Sequence, residues 1–162
     1  MKLSLVQILL LALILTAGAL VILNLSSKKN IIPLPTPETK EISFEKVNTS
    51  ITSKALNVKS NILINNSEEW QKLKPNPLVD IDFSKNSVIA VTAGSKSTGG
   101  YSIEVVKIVD LGQNIVVTVK DISPGTNCFV TQALTNPKQV IKTEKLDKQV
   151  SFEEISETKN CQ

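Results

Sequence analysis

The sequence predicts an α+β domain, mainly β, in which a single antiparallel sheet and one short helix follow an N-terminal transmembrane helix. Three observations lead to this prediction. Apolar residues recur with a period of two in the second half of the chain, one helix-start pattern interrupts the strands, and the first 27 residues carry almost no charge. Roughly 135 of the 162 residues remain after that apolar segment, which is the size of one modest domain.

The N-terminal segment has no charged residue between positions 3 and 27. As a helix it is long enough to cross a hydrocarbon core of about 30 Å, so residues 1–27 are predicted to form a transmembrane anchor. The small residues Ala17, Gly18 and Ala19 keep a cleaved signal segment open as the alternative. Closely spaced prolines predict an extended linker over residues 28–40. The domain, residues 41–162, is therefore expected to be membrane-anchored on the extracytoplasmic side.

The strands of the domain are predicted from alternating apolar and polar residues. In the run from 115 to 120, Ile115, Val117 and Val119 share one face. The alternation slips by one residue after Val105, which predicts a β-bulge, and residues 111–114 predict a hairpin turn. The predicted strands are residues 43–47, 62–64, 88–93, 101–109, 115–120, 129–134, 140–141 and 150–155.

One helix is predicted between the second and third of these strands. Asn66 can cap its N-terminus, and the acidic Glu68 and Glu69 suit the first turn of a helix. Trp70 and Leu73 share a face at helical spacing. The helix is therefore expected to lie on the sheet with Trp70 as its buried anchor.

Composition excludes several classes of function. All 18 basic residues are lysines, and the chain contains no histidine and no arginine. Without histidine there is no Ser-His-Asp or Cys-His catalytic arrangement and no His-containing metal site. The lysines are interspersed with acids, so nucleic acid is not an expected partner. Gly94 and Gly99 have the spacing of a phosphate loop, but Gly100 and Tyr101 stand where lysine and Ser/Thr are required. We expect no cofactor, no metal and no enzymatic activity.

Two cysteines, Cys128 and Cys161, lie too far apart in sequence for a CxxC pair or a zinc cluster. They can form a disulfide in an oxidising compartment, or they can remain free thiols. The sequence leaves both states open.

Several short segments, in order along residues 62–143, resemble the C-terminal domain of the PrcB-like protease stability complex family. These segments are Trp70, Asp82-Phe83-Ser84, Val88-Ile89-Ala90-Val91, Gly94, Ser97-Thr98-Gly99-Gly100-Tyr101, Pro124-Gly125 and Thr131-Gln132-Ala133-Leu134-Thr135-Asn136-Pro137. The resemblance implies a cell-surface accessory subunit that associates with a secreted protease and stabilises it. The chain has no lipobox cysteine, so its anchor would be the N-terminal helix.

The glycine-containing segment and the resemblance together predict a protein-binding site for a secreted or surface protease. Its predicted residues are Ser97, Thr98, Gly99, Gly100, Tyr101, Thr131, Gln132 and Thr135. The 98–101 segment is also similar to a loop of chagasin-type cysteine protease inhibitors, so a protease inhibitor is one alternative. An envelope or glycan-binding module, with Tyr101 as its aromatic contact, is the other.

Overall fold

The computed structural model describes residues 39–161. The predicted transmembrane segment, residues 1–27, and most of the predicted linker, residues 28–38, lie outside this part of the chain. Within residues 39–161, no helix is long and apolar enough to cross a membrane.

The described residues form ten strands, one α-helix and one 3-10 helix. The strands are β1 (Lys40–Glu41), β2 (Phe44–Lys46), β3 (Ser50–Ile51), β4 (Ser60–Ile64), β5 (Pro75–Asn76), β6 (Asn86–Thr92), β7 (Ser102–Asp110), β8 (Asn114–Pro124), β9 (Lys138–Glu144) and β10 (Gln149–Lys159). The 3-10 helix is Lys54–Asn57, and the α-helix, α1, is Ser67–Lys72. The mainly β composition and the short helix predicted from sequence are confirmed.

The prediction of a single antiparallel sheet is wrong. Sheet A has the strand order β1-β7-β8-β10, sheet B has the order β2-β9-β6-β4, and β3 pairs with β5 in a small third sheet. One neighbouring pair is also parallel, since β10 runs alongside β8 in the same direction. The physical reason is the path of the chain: after β8 it crosses to sheet B as β9 and returns, so β10 enters sheet A in the direction of β8.

The two main sheets pack face to face, and sheet B is covered on both sides. The core between the sheets consists of Ile42, Ile89, Val91, Ala93, Ile103, Val105, Ile108, Ile115, Val117, Val119, Ile141 and Leu146. On the other face of sheet B, helix α1 and the 3-10 helix cover a second core of Val47, Ile51, Leu56, Ile64, Trp70, Leu73, Ile81, Val88, Ala90 and Val140. Strand β6 contributes side chains to both cores, because consecutive residues of a strand point to opposite faces.

Local predictions agree with the structure at several positions. The Asn66 side chain accepts a 2.9 Å hydrogen bond from the Glu69 N–H and so caps α1. Trp70 is 2% exposed, and its indole N–H donates to the Val79 carbonyl at 3.1 Å. The register between β7 and β8 shifts after Val105, as the slipped alternation predicts. In the hairpin turn between these strands, Gly112 has a φ of 90°.

A charged cluster joins the edges of the two sheets, where β4 and β10 lie. The Lys59 ammonium group lies 2.8 Å from the Asp121 carboxylate and 2.7 Å from the Glu154 carboxylate. Asn61 donates to the other oxygen of Glu154 at 3.0 Å. Hydrogen bonds to Asp121 and Glu154 raise the pKa of Lys59, and the hydrogen bond from Lys59 lowers the pKa of Glu154.

We expect acid to weaken this cluster. Because the folded state lowers the pKa of Glu154 below its ordinary value of 4.5, the stabilisation is present above that value and is lost as the pH falls through the folded pKa. The raised pKa of Lys59 matters at alkaline pH. The stabilisation that Lys59 contributes is complete below pH 10.5 and is lost only at more alkaline pH. For half-exposed groups the effect is about 0.2–1 kcal/mol.

Urea unfolding of the full-length chain in a mild detergent, at pH 7 and pH 3, measures this effect. The Glu154→Gln variant is expected to lose less stability between the two pH values than the parent. Asp82 and Asp110 also have lowered pKa values, from hydrogen bonds with Ser84 and Lys148, and act equally in both proteins. An identical pH dependence in parent and variant would show that Glu154 contributes nothing to it.

Candidate protein-binding loops

Two loops meet at one end of the paired sheets. We call residues 93–101, between β6 and β7, the glycine loop, and residues 125–137, between β8 and β9, the cysteine loop. The four strand ends that carry them are neighbours, since Thr92 pairs with Lys138 in sheet B and Ser102 pairs with Ile122 in sheet A. Both loops therefore cross from one sheet to the other at the same end of the domain.

The cysteine loop corrects one strand prediction. Residues 129–134 were predicted to form a strand but are irregular in the structure. Lys96 and Thr135 form an isolated β-bridge beyond this segment, with backbone hydrogen bonds of 2.8 and 3.0 Å in the two directions. The physical reason is visible in the side chains: two apolar, two polar and two apolar residues follow one another, so no face can be buried by alternation.

Hydrogen bonds hold the two loops together at the predicted residues. The Gly99 N–H donates to the Thr131 carbonyl at 2.9 Å. The Thr135 hydroxyl donates to the Thr98 carbonyl at 2.7 Å. The structure therefore brings the two groups of predicted site residues, which are some 30 positions apart in sequence, onto one surface.

The predicted residues differ in how accessible they are. Ser97, Gly100, Thr131 and Gln132 are exposed, Thr98, Tyr101 and Thr135 are half-buried, and Gly99 is buried. The Lys96 ammonium group lies 5.0 Å from the centre of the Tyr101 ring, within the range of a cation–π contact. The role of all eight residues in binding stays a prediction.

The close approach of the loops requires glycine. A Cβ atom on Gly99 would collide with the Thr131 hydroxyl. Gly100 has a φ of 87°, and a Cβ there would lie 2.9 Å from Val130 Cγ1. The two glycines therefore have a structural role, because they let the loops pack against each other.

A buried polar network fixes the base of the loops. The Thr92 hydroxyl is buried, lies 2.8 Å from the Asn136 amide oxygen, and accepts from the Gly94 N–H at 3.1 Å. The Asn136 amide N–H donates to the Leu56 carbonyl at 3.0 Å. The first residues of the glycine loop and the last of the cysteine loop are thus tied to the 3-10 helix.

We expect Gly94→Ala to destabilise the protein more than Gly112→Ala. Both glycines have positive φ, 72° and 90°, and an alanine in this conformation costs about 1–2 kcal/mol. At Gly94 the new Cβ would also lie 2.8 Å from the Lys59 backbone nitrogen, whereas at Gly112 nothing lies within 4 Å. This collision adds about 1 kcal/mol or more. Denaturant unfolding of the two variants measures the difference, and equal losses would contradict the expected backbone contact.

A disulfide ties the cysteine loop to the end of β10. Cys128 and Cys161 are bonded in the structure, with their Cα atoms 5.0 Å apart. Next to them the Gly125 N–H donates to the Lys159 carbonyl at 2.9 Å, and the Asn127 amide donates to the Cys161 carbonyl. The start of the cysteine loop is therefore held at both its backbone and its side chains.

Sequence reasoning missed the most accessible apolar side chains of this surface. Phe129, next to Cys128, is 107% exposed, and Leu134 is 86% exposed. Residues 129–134 do not alternate between apolar and polar, and this pattern was the sequence signal that Phe129 and Leu134 do not belong to a half-buried strand. Phe129 borders a groove of about 200 Å³, whose other lining residues are Gly100, Pro124, Cys128, Val130, Lys159 and Cys161.

Neither loop contains an acidic residue. No acidic residue occurs between Asp82 and Glu104 or between Asp121 and Glu144, whereas Lys96 belongs to the glycine loop. Within residues 39–161, no group of three or more His, Cys, Asp or Glu side chains is placed to hold a metal ion. The arrangement suits contact with another macromolecule, since it offers apolar side chains with polar backbone and hydroxyl groups around them.

In comparison with known proteins, one family model matches part of the chain. The family model described as PrcB C-terminal matches residues 87–144, which include both loops. This finding confirms the resemblance predicted from the sequence, over little more than a third of the chain. No curated protein and no solved structure gives a significant match.

Proposed function

We propose, from the PrcB C-terminal match over residues 87–144, that this chain is a non-enzymatic accessory subunit that binds and stabilises a cell-surface protease. Its N-terminal segment anchors it in the membrane, and its β-rich domain lies on the extracytoplasmic side. The partner binds at the glycine and cysteine loops. The absence of histidine from the sequence supports a binding role over a catalytic one.

The family match carries the protease part of this proposal, and the exposure of Phe129 and Leu134 on the cysteine loop supports the loops as the contact surface. Burying a side chain of this size contributes about 1.5–3 kcal/mol, so two of them on one loop supply a large part of the free energy of a protein contact. Aromatic side chains are also enriched among the residues that dominate such contacts. The predicted residues Ser97, Thr131 and Gln132 supply exposed polar groups around them.

The loops are ordered before any partner binds. The bridge between Lys96 and Thr135, the hydrogen bonds at Gly99 and Thr98, and the disulfide all restrict them. A pre-ordered surface loses less conformational entropy on association. Binding to the folded protease alone would then raise the apparent stability of that protease by mass action.

The half-buried positions of Thr98 and Tyr101 argue against the alternative function of protease inhibitor. A wedge that enters an active-site cleft needs a projecting loop, whereas residues 98–101 lie against the cysteine loop and leave Ser97 and Gly100 as the exposed part of that turn. The same burial leaves little of the Tyr101 ring for stacking on a glycan.

We expect the double variant Phe129→Ala/Leu134→Ala to capture its protease at least tenfold more weakly than the parent chain, since each lost contact costs about 1 kcal/mol or more. The full-length protein is solubilised in detergent with the source membranes and recovered through a tag. Two quantities are measured: the amount of protease recovered, and the half-life of the protease activity after parent or variant chain is added. The parent is expected to prolong that half-life.

The matched control is Val58→Ala/Leu78→Ala, which shortens two exposed apolar side chains, 68% and 63% exposed, outside both loops. The control should capture protease as the parent does. If Phe129→Ala/Leu134→Ala captures the protease as well as the parent does, these two side chains are not part of the interface. A captured protease that loses activity when parent chain is added would favour inhibition instead.

A further inference from the structure

Strand β10 is an unusually long edge strand. Sheet A has the order β1-β7-β8-β10, so β10 has a neighbour on one side within the described residues. All 11 of its residues pair with β8. Edge strands are normally kept short, because their outer row of N–H and C=O groups is a template for pairing with another chain. The outer edge of β10 is therefore a candidate surface for pairing with another chain.

The two faces of β10 have different roles. Val150 and Phe152 pack against the core between the sheets, and Glu154, on the same side, binds Lys59. The intervening positions point outward, since side chains alternate along a strand. Glu153, Ile155 and Glu157 occupy these positions, and Ile155 is 45% exposed. The outer side of the edge thus carries an apolar residue between two acids.

The charge on β10 determines which strand can pair with it. Glu153, Glu154 and Glu157 outnumber Lys159 on this strand. Within the described residues Glu153 has no ion pair, and Glu157 shares Lys120, at 3.4 Å, with a second carboxylate. A second copy of β10 would bring carboxylates close to carboxylates, which destabilises a strand pair. A strand with cations at these positions would be stabilised instead.

We propose that β10 is a second interaction surface, to which an extended basic segment of a partner protein adds as a further strand of sheet A. The segment carries a basic, an apolar and a basic residue at alternate positions, opposite Glu153, Ile155 and Glu157. Main-chain hydrogen bonds supply affinity, and the alternate side chains supply selectivity. The proposed contact residues of β10, Glu153, Ile155 and Glu157, differ from Phe129 and Leu134 of the loop site.

Three capped peptides of seven residues test the proposal on the full-length chain in detergent. The first has lysine at positions 2 and 6, valine at position 4 and threonine elsewhere; the second replaces the lysines with glutamates. The third is the lysine peptide with N-methylated amides at positions 3, 4 and 5, which removes hydrogen-bond donors. Backbone amide shifts and hydrogen exchange in β10 are followed by NMR during titration.

The lysine peptide is expected to slow exchange and shift amides in Gln149–Lys159, with the glutamate peptide at least about fivefold weaker and the methylated peptide inactive. Glu153→Gln/Glu157→Gln should weaken the lysine peptide by about two- to fivefold per glutamate, as for exposed ion pairs. Phe129→Ala/Leu134→Ala should leave its binding unchanged, which separates this surface from the loop site. Absent binding, equal binding of the methylated peptide, shifts confined to residues outside β10 and its neighbour β8, or dimerisation of the chain through β10 would each overturn the proposal.

Discussion

Replacing Trp70 with alanine is expected to lower the free energy of unfolding by about 3–5 kcal/mol, the usual cost of removing a buried aromatic side chain. Trp70 is 2% exposed and belongs to the core between sheet B and helix α1. The substitution leaves a cavity and removes the hydrogen bond to the Val79 carbonyl. With only six residues, α1 depends on this packing, because an isolated helix of that length is not stable in water.

Urea unfolding followed by circular dichroism measures this loss, since the variant lacks the one tryptophan of the chain and cannot be followed by its fluorescence. Trp70→Phe serves as the control. It keeps a ring in the core but loses the indole N–H, so about 1–3 kcal/mol should be lost. A Trp70→Ala variant as stable as Trp70→Phe would mean that the side chain is not packed as the structure shows.

Removal of the disulfide is expected to cost about 3–4 kcal/mol on the chain-entropy account, because it closes a long loop. Cys128 and Cys161 are 33 positions apart in sequence. In the variant Cys128→Ser/Cys161→Ser the unfolded chain gains freedom, and the cysteine loop loses one of its ties to β10. The variant should therefore also bind its protease more weakly than the parent does.

Reductant provides the control for the second prediction. Unfolding in urea is measured for the parent and the double serine variant, each with and without dithiothreitol. Reductant should reduce the stability of the parent toward that of the variant and leave the variant unchanged. If the parent is insensitive to reductant while its thiols become accessible to alkylation, the bond contributes little to stability.

The sequence predicted most strongly the elements that bury one face. Strands β7 and β8 alternate between buried and partly exposed residues. Both strands, and the shift in alternation after Val105, could therefore be recognised from the sequence. Helix α1 was readable from its cap at Asn66 and from Trp70. These signals are local: each depends on residues within one turn or one strand.

The arrangement of the strands was not predictable in the same way. In β6 the residues from Ser87 to Thr92 are all buried, because the strand has a core on each side. Such a strand lacks alternation and does not say which sheet it joins. The parallel pairing of β10 with β8 depends on the crossing of β9 between sheets, which no local pattern records.

The sequence singled out the two segments of the candidate site but not their most exposed apolar side chains. The glycine loop and the segment that contains Thr131 and Thr135 were singled out, and the structure places them side by side. Phe129 and Leu134 were assigned to a strand, because β-branched and aromatic residues favour strands in general. Their exposure results from loop geometry that the residue types do not reveal.

Because their strands are interleaved along the chain, sheets A and B cannot be separated into subdomains. Sheet A takes β1, β7, β8 and β10, and sheet B takes β2, β4, β6 and β9, so any cut in the backbone that removes one sheet also removes strands of the other. Neither half has a contiguous nucleus that could persist alone. Strand β10 therefore belongs to the same folding unit as β8, with which it pairs over its whole length, although it lies last in the chain.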